Sequence, residues 1–233
     1  MGRFTFSVRL WPTVMAAFGL LVLAGLGTWQ VQRGLEKEAL FRAFARGDGP
    51  AVPYQTNQGQ ARYARVQLAG RYDAERQILL DNMIKDGVVG YRVLTPLHTA
   101  QGTVLVDRGW LRAPPRRDQW PVVTVSDARR TVAGRLDALP RAGLRLAAAD
   151  GEGWPRRLSY PDIATVQRIY GQAVDPRIIL LDADAPDGYA RDWRPGGMAP
   201  ERHFGYAVQW YGLAATILVL YFVLNLKRIG SRA

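Results

Sequence analysis

Two histidines, His98 and His203, and no cysteine bound the chemistry open to this chain of 233 residues. Without thiols there is no disulfide, no thiolate metal site and no cysteine nucleophile, and two imidazoles are too few for most metal or acid-base constellations. No Walker loop, Gly-x-Ser-x-Gly elbow, His-Glu-x-x-His helix or Rossmann glycine fingerprint occurs, so an enzyme is not expected. The run Asp182, Asp184, Asp187 invites a calcium reading. An EF-hand loop, however, needs an acid or amide, a glycine and a glutamate where this chain has Pro186, Asp187 and Trp193, and a solvated turn after a strand is the simpler expectation. Asp107-Arg108-Gly109-Trp110 reads as the capped end of a hairpin strand, and His98 as an exposed loop residue. That leaves His203, next to Glu201 and Arg202.

His203 stands at the head of an uncharged run. Residues 204–226 contain no Asp, Glu, Lys, Arg or His, which meets the roughly 20 apolar residues a helix needs to cross a bilayer. Phe204, Tyr206, Trp210 and Tyr211 in its first turns suit a water-lipid boundary, so His203 is expected at a membrane surface. A second uncharged run, 10–31, carries Pro12 where a first helical turn tolerates it. A cleaved secretion signal is the competing reading of that run, but its length and the lack of an Ala-x-Ala site favour an uncleaved transmembrane helix. Arg3 and Arg9 before it, and Lys227, Arg228 and Arg232 after the other, place tails 1–9 and 227–233 on the cytoplasmic side under the positive-inside rule, with 32–202 outside. A mean hydropathy of -0.12 is too low for a multi-span transporter. The net charge of +11 comes with no dense basic block and no nucleic-acid motif, so no nucleic-acid partner is expected and membrane lipid is.

Between the two runs the period changes. Helical character persists to Gly47 and Pro50; from Tyr63 the apolar residues alternate, as in Val66 and Leu68, Ile78 and Leu80, Val89, Tyr91 and Val93, Val104 and Val106. Further strands are expected at 129–136, 145–148 and 177–181, with one helix over 160–170 that starts in a capping-box-like Ser159 to Asp162 and stops at Gly171. Residues 113–121, with three prolines, must be a loop. The predicted fold is membrane-anchored α+β: two transmembrane helices flanking a mainly antiparallel β domain with minor helix, barrel-like because open edges invite mispairing.

Five segments in order, LGTWQVQR (26–33), AGRYD (69–73), LLDNMIKDGVVGYRVLTPL (79–97), VLVDRGW (104–110) and PERHFGYAVQWYGLA (200–214), resemble the Surf/Shy family of cytochrome c oxidase assembly proteins. Trp-Gln-x-x-Arg closing the first helix, together with His-x-Gly-Tyr-Ala-x-Gln-Trp opening the second, is the specific part. The resemblance implies a non-enzymatic assembly factor, a chaperone that binds haem a as transient cargo and assists its insertion into the large oxidase subunit. That subunit is the implied partner, and haem A synthase a further candidate. A cofactor-free interaction protein that stabilises an oxidase subunit is the alternative. A membrane helix starting near residue 10 leaves no room for a mitochondrial transit peptide, so a bacterial plasma (inner) membrane is expected, with the central domain periplasmic. Residues 112–154 match least, and no role is carried onto them.

The resemblance makes His203 the axial iron ligand, with Trp29, Gln30, Arg33, Arg202, Tyr206 and Trp210 as cofactor-binding neighbours. His203, Ala207, Trp210 and Ala214 share a helix face that would give a macrocycle a shallow flat surface, and Arg33 and Arg202 could pair with propionates. A polar anchor at a helix end is the plainer reading of the same histidine. The opposite face, with Gly205, Gln209, Gly212 and Thr216, is expected to meet Gly19, Gly25 and Gly27 of the first span through close backbone approach.

Overall fold

A computed structural model describes residues 4–47, 49–56, 59–140 and 153–228. The chain divides into two compact units, one made of residues 1–42 and 195–233 and the other of residues 43–194.

The first unit is a helical hairpin. Helix α1 (Leu10–Arg46) has 37 residues and continues well past the uncharged run, as the amphipathic stretch before Gly47 predicts. Helix α3 (Pro200–Asn225) starts with Pro200, whose missing N–H costs nothing in a first turn. Both are long and apolar enough to cross a membrane, and only 6% of each apolar window is buried, unlike the core helix of a soluble protein. Strand β1 (Phe4–Phe6) pairs antiparallel with β10 (Leu226–Arg228), so the two tails are joined where one helix begins and the other ends.

The second unit is a β barrel. Its strands are β2 (Val52–Pro53), β3 (Arg65–Tyr72), β4 (Ile78–Lys85), β5 (Val88–Thr99), β6 (Gly102–Arg112), β7 (Arg130–Ala138), β8 (Arg156–Leu158) and β9 (Val174–Leu181), with helix α2 (Ile163–Tyr170) between the last two. The sheet runs β2-β3-β7-β9-β6-β5-β4-β8, and an additional β3–β5 pairing closes five strands into a ring. Most pairings are antiparallel; β6 with β9 is parallel. Closure removes the sheet edge, which is the physical gain of a barrel. It also demands a tight corner at Gly70, where a Cβ would lie 2.6 Å from the His98 carbonyl oxygen.

Strand period explains the core. Val104 and Val106 of β6 and Ile179 and Leu181 of β9 enter one cluster with Val66, Leu97 and Val132. The residues between them, Leu105, Ile178 and Leu180, enter a second cluster under α2 with Val166 and Tyr170. These strands are covered on both faces, so they read as continuous apolar runs rather than clean alternation. Asp86 and Gly87 both have positive φ (50° and 76°) and form the two-residue turn of the β4–β5 hairpin, as the Asp-Gly pair predicts.

Some expectations change. The N-cap of α2 is Asp162, whose side chain accepts from the Thr165 N–H at 2.8 Å, so the helix starts three residues later than the Ser159 reading; Gly171 is the left-handed stop as expected. His98 is not in a loop but in β5, with Nδ1 2.9 Å from Thr103 Oγ1 and Nε2 3.5 Å from an Asp73 carboxylate oxygen. The strand expected at 145–148 lies outside the described residues.

Candidate functional site

Helices α1 and α3 meet along a seam whose covered positions alternate by three and four. On α1 the seam passes through Ala16, Leu20, Leu23, Gly27, Gln30 and Gly34, and on α3 through His203, Ala207, Trp210, Ala214, Ile217 and Tyr221. A three-four alternation keeps one stripe in register along a left-handed pair, the usual geometry of membrane helices. Glycines on α1 receive rings from α3: a Cβ on Gly34 would lie 2.6 Å from the Phe204 ring, and one on Gly27 would lie 2.9 Å from Tyr211. Hydroxyls add to this, with Thr28 Oγ1 3.0 Å from Tyr211 Oη and Thr13 Oγ1 2.8 Å from Tyr221 Oη.

This corrects the expected helix contact. Gly25, Gly205 and Gly212 face open space, and Gln209 and Thr216 are exposed. Of the predicted contact glycines only Gly19 and Gly27, both on α1, meet side chains of α3. The stripe of small residues on α3 therefore looks outward. The face thought to be free for a macrocycle is the one in the seam, with Ala207 only 4% and Ala214 8% exposed. The reason is steric: the large rings of α3 fill the space over the glycines of α1 and gain dispersion contacts there.

Of the seven candidate residues, the structure joins two directly. His203 Nδ1 lies 2.8 Å from Gln30 Oε1. A carboxamide oxygen only accepts, so Nδ1 carries a proton, and in the neutral ring Nε2 then keeps the lone pair, the tautomer that can bind a metal. That Nε2 is shielded from solvent and has no hydrogen-bond partner among the described residues. Trp210 follows on the same seam two turns along. Trp29 and Tyr206 are exposed at 51% and 44%, Arg202 is exposed, and Arg33 is bound to Glu36 at 2.7 Å on the surface of α1. No group of three or more His, Cys, Asp or Glu able to hold a metal ion occurs among the described residues.

The barrel holds a polar centre that sequence reading misplaced. Asp107-Arg108-Gly109-Trp110 does not end a strand; it lies inside β6, with Asp107 and Arg108 both buried. Both faces of β6 are covered, so consecutive charged residues are buried, Arg108 beside Tyr72 and Asp107 against Arg92. Next to them Gly109 adopts φ +109°, a conformation that L side chains rarely take, where the register shifts against β5. Arg108 donates to the carbonyl oxygens of Asp187 (2.7 Å) and Thr124 (2.7 Å) and to Gln77 Oε1 (3.0 Å), while Gln77 also accepts from Thr95. Asp107 pairs with Arg92 and accepts from the Gly109 N–H at 3.0 Å. Burial lowers the Arg108 guanidinium from its ordinary value and raises the Asp107 carboxyl, which Arg92 partly offsets. Arg108 spends its donors on protein acceptors, as a structural node does, whereas the buried Nε of Arg92 has no hydrogen-bond partner among the described residues. The run from Asp182 to Asp187 is the expected turn after β9, with Asp184 and Asp187 exposed, while Arg65 holds Asp182 through two hydrogen bonds of 2.7 and 2.9 Å.

The family model described as SURF1 family matches residues 17–215. Among curated proteins the chain is similar to a SURF1-like protein of Monosiga brevicollis, 25% identical over 91% of this chain and 88% of that protein. It is similar to the Surfeit locus protein 1 of Takifugu rubripes, 25% identical over 88% of this chain and 93% of that one. A SURF1-like protein of Rickettsia felis is 26% identical over 87% of this chain and 91% of its own length.

Proposed function

Since the chain belongs to the SURF1 family, we propose that it is a membrane-anchored, non-enzymatic assembly factor for haem-copper cytochrome c oxidase that binds haem a as transient cargo and passes it to the large oxidase subunit. It acts from a bacterial inner membrane, with both tails cytoplasmic and the barrel domain periplasmic. The observation that carries the reading is the His203–Gln30 hydrogen bond, because it fixes the imidazole in the tautomer that presents a lone pair on Nε2.

The donor chemistry fits a haem iron. The seam does not yet offer the ring a place, since Ala207 and Ala214 are covered. His203 would hold the iron through Nε2 at the end of the hairpin where α3 begins, and Ala207 and Ala214, being covered, would not carry the ring. Trp29 and Tyr206 supply exposed aromatic surface there. Arg202 and Arg33 supply guanidinium groups for propionates, the surface pair with Glu36 being weak enough to exchange. The closed seam also favours a second reading, in which the hairpin only anchors the barrel and the protein stabilises an oxidase subunit without touching cofactor.

The test is complementation. In membranes of cells lacking this chain, wild type restores the haem a content and activity of the oxidase, and His203→Ala, present at equal amount, does not. Equal restoration by both would leave the cofactor-free reading in place.

A further inference from the structure

At the tail end of the hairpin, far along both helices from His203, lies a groove of about 490 Å³ lined by Ser7, Arg9, Pro12 and Ala16 on one side and by residues of the last turns of α3 on the other. Its size falls within the range of roughly 300–1,000 Å³ typical of ligand pockets. The wall is apolar along Ile217, Leu220 and Leu224, and polar at the mouth, where Arg9, Ser7 and Tyr221 gather. Small Ala16 and ring-closed Pro12 leave the room on the α1 side. The β1–β10 pairing and the hydrogen bond from the Ser7 N–H to the Asn225 carbonyl at 3.0 Å hold the mouth together.

In the sequence no acid occurs before Glu36 or after Glu201, and Arg9 lines the groove. Arg9 forms no ion pair among the described residues, so its guanidinium is left for an anion. We propose that this groove binds one anionic glycerophospholipid, its phosphate on Arg9 at the mouth and an acyl chain along Ile217, Leu220 and Leu224. Only a lipid matches both halves of the site, an anionic head and an apolar tail, and the membrane supplies it at this depth. The inference rests on the membrane anchoring proposed above but not on haem binding.

Native mass spectrometry of the full chain in detergent, with phosphatidylglycerol or phosphatidylcholine added, tests it. Wild type should retain one phosphatidylglycerol in preference to phosphatidylcholine, and Arg9→Gln should weaken that retention about fivefold. Leu220→Trp, which narrows the groove without changing charge, should also weaken it, while Arg42→Gln at the other end of α1 should not. Equal retention of the two lipids, or unchanged retention in Arg9→Gln, would overturn the proposal. Full displacement of the lipid by inorganic phosphate would assign the site to a free anion and overturn it equally. Haem content is read separately, so failure here and failure of the haem reading are distinct results.

Discussion

The ring of Phe204 occupies the space over Gly34, so close that a Cβ on that glycine would sit 2.6 Å from it. The same fit recurs at Tyr211 over Gly27, which places glycines of α1, not those of α3, at the helix contact. Gly27→Leu should therefore part the helices, at a cost of about 1–3 kcal/mol from overpacking, while Gly212→Leu should leave them joined. Cross-linking between cysteines introduced at Leu23 and Ala214, two seam positions at one level, reads this directly. Loss of the cross-link in Gly212→Leu with retention in Gly27→Leu would reverse the assignment.

The sequence legibly carried two apolar helices, a β domain between them and most strand positions, because hydrophobic period and turn chemistry are local signals. Which face of α3 meets α1 was not legible. Residues at i, i+4, i+7 and i+11 from Gly205 and those from His203 fit the helical period equally well, and the choice is made by Phe204 and Tyr211 finding holes on another helix. The burial of Asp107 and Arg108 was hidden for a related reason. Alternation sends neighbours to opposite faces, and that both faces of β6 are covered depends on elements distant in sequence. In the candidate site the histidine is singled out by the resemblance of its His-x-Gly-Tyr-Ala-x-Gln-Trp segment, but its bond to Gln30 depends on the antiparallel register of two helices far apart in sequence.

Arg108 is the best single target for barrel stability. Arg108→Met leaves the partly buried Asp187 and Thr124 carbonyls without their donor and removes one of the two donors to Gln77 Oε1. A loss of about 1–3 kcal/mol is expected, visible as a lower thermal midpoint of the barrel in the full-length protein. A change below about 0.5 kcal/mol would show that the centre is not structural.

Asp175 ties acid stability to β9. Burial disfavours its charged form, but hydrogen bonds from Arg177 and Tyr54 outweigh this and hold the carboxyl below its ordinary 3.8. A folded-state value below the unfolded one means stability that is complete above the unfolded value and is lost as pH falls from about 3.8 through the folded value. Asp175→Asn should be less stable near neutral pH and flatter across that acid window. A variant as steep as wild type below pH 4 would assign the acid loss elsewhere.

Topology can be read with reporters. A fusion after Arg232 should be inactive when the reporter works only outside the cytoplasm, and cysteines introduced between Arg33 and Arg202 should be labelled from outside. An active reporter at Arg232 would invert the orientation and move His203 to the cytoplasmic surface.

The central claim is that His203 ligates the iron of haem a. The most direct measurement is the optical spectrum of the full-length protein purified from cells that make haem A, wild type beside His203→Ala. Haem bound by wild type, with loss or a displaced Soret band only in the mutant, is the predicted result. Equal haem content and an identical Soret band in the two proteins would contradict it.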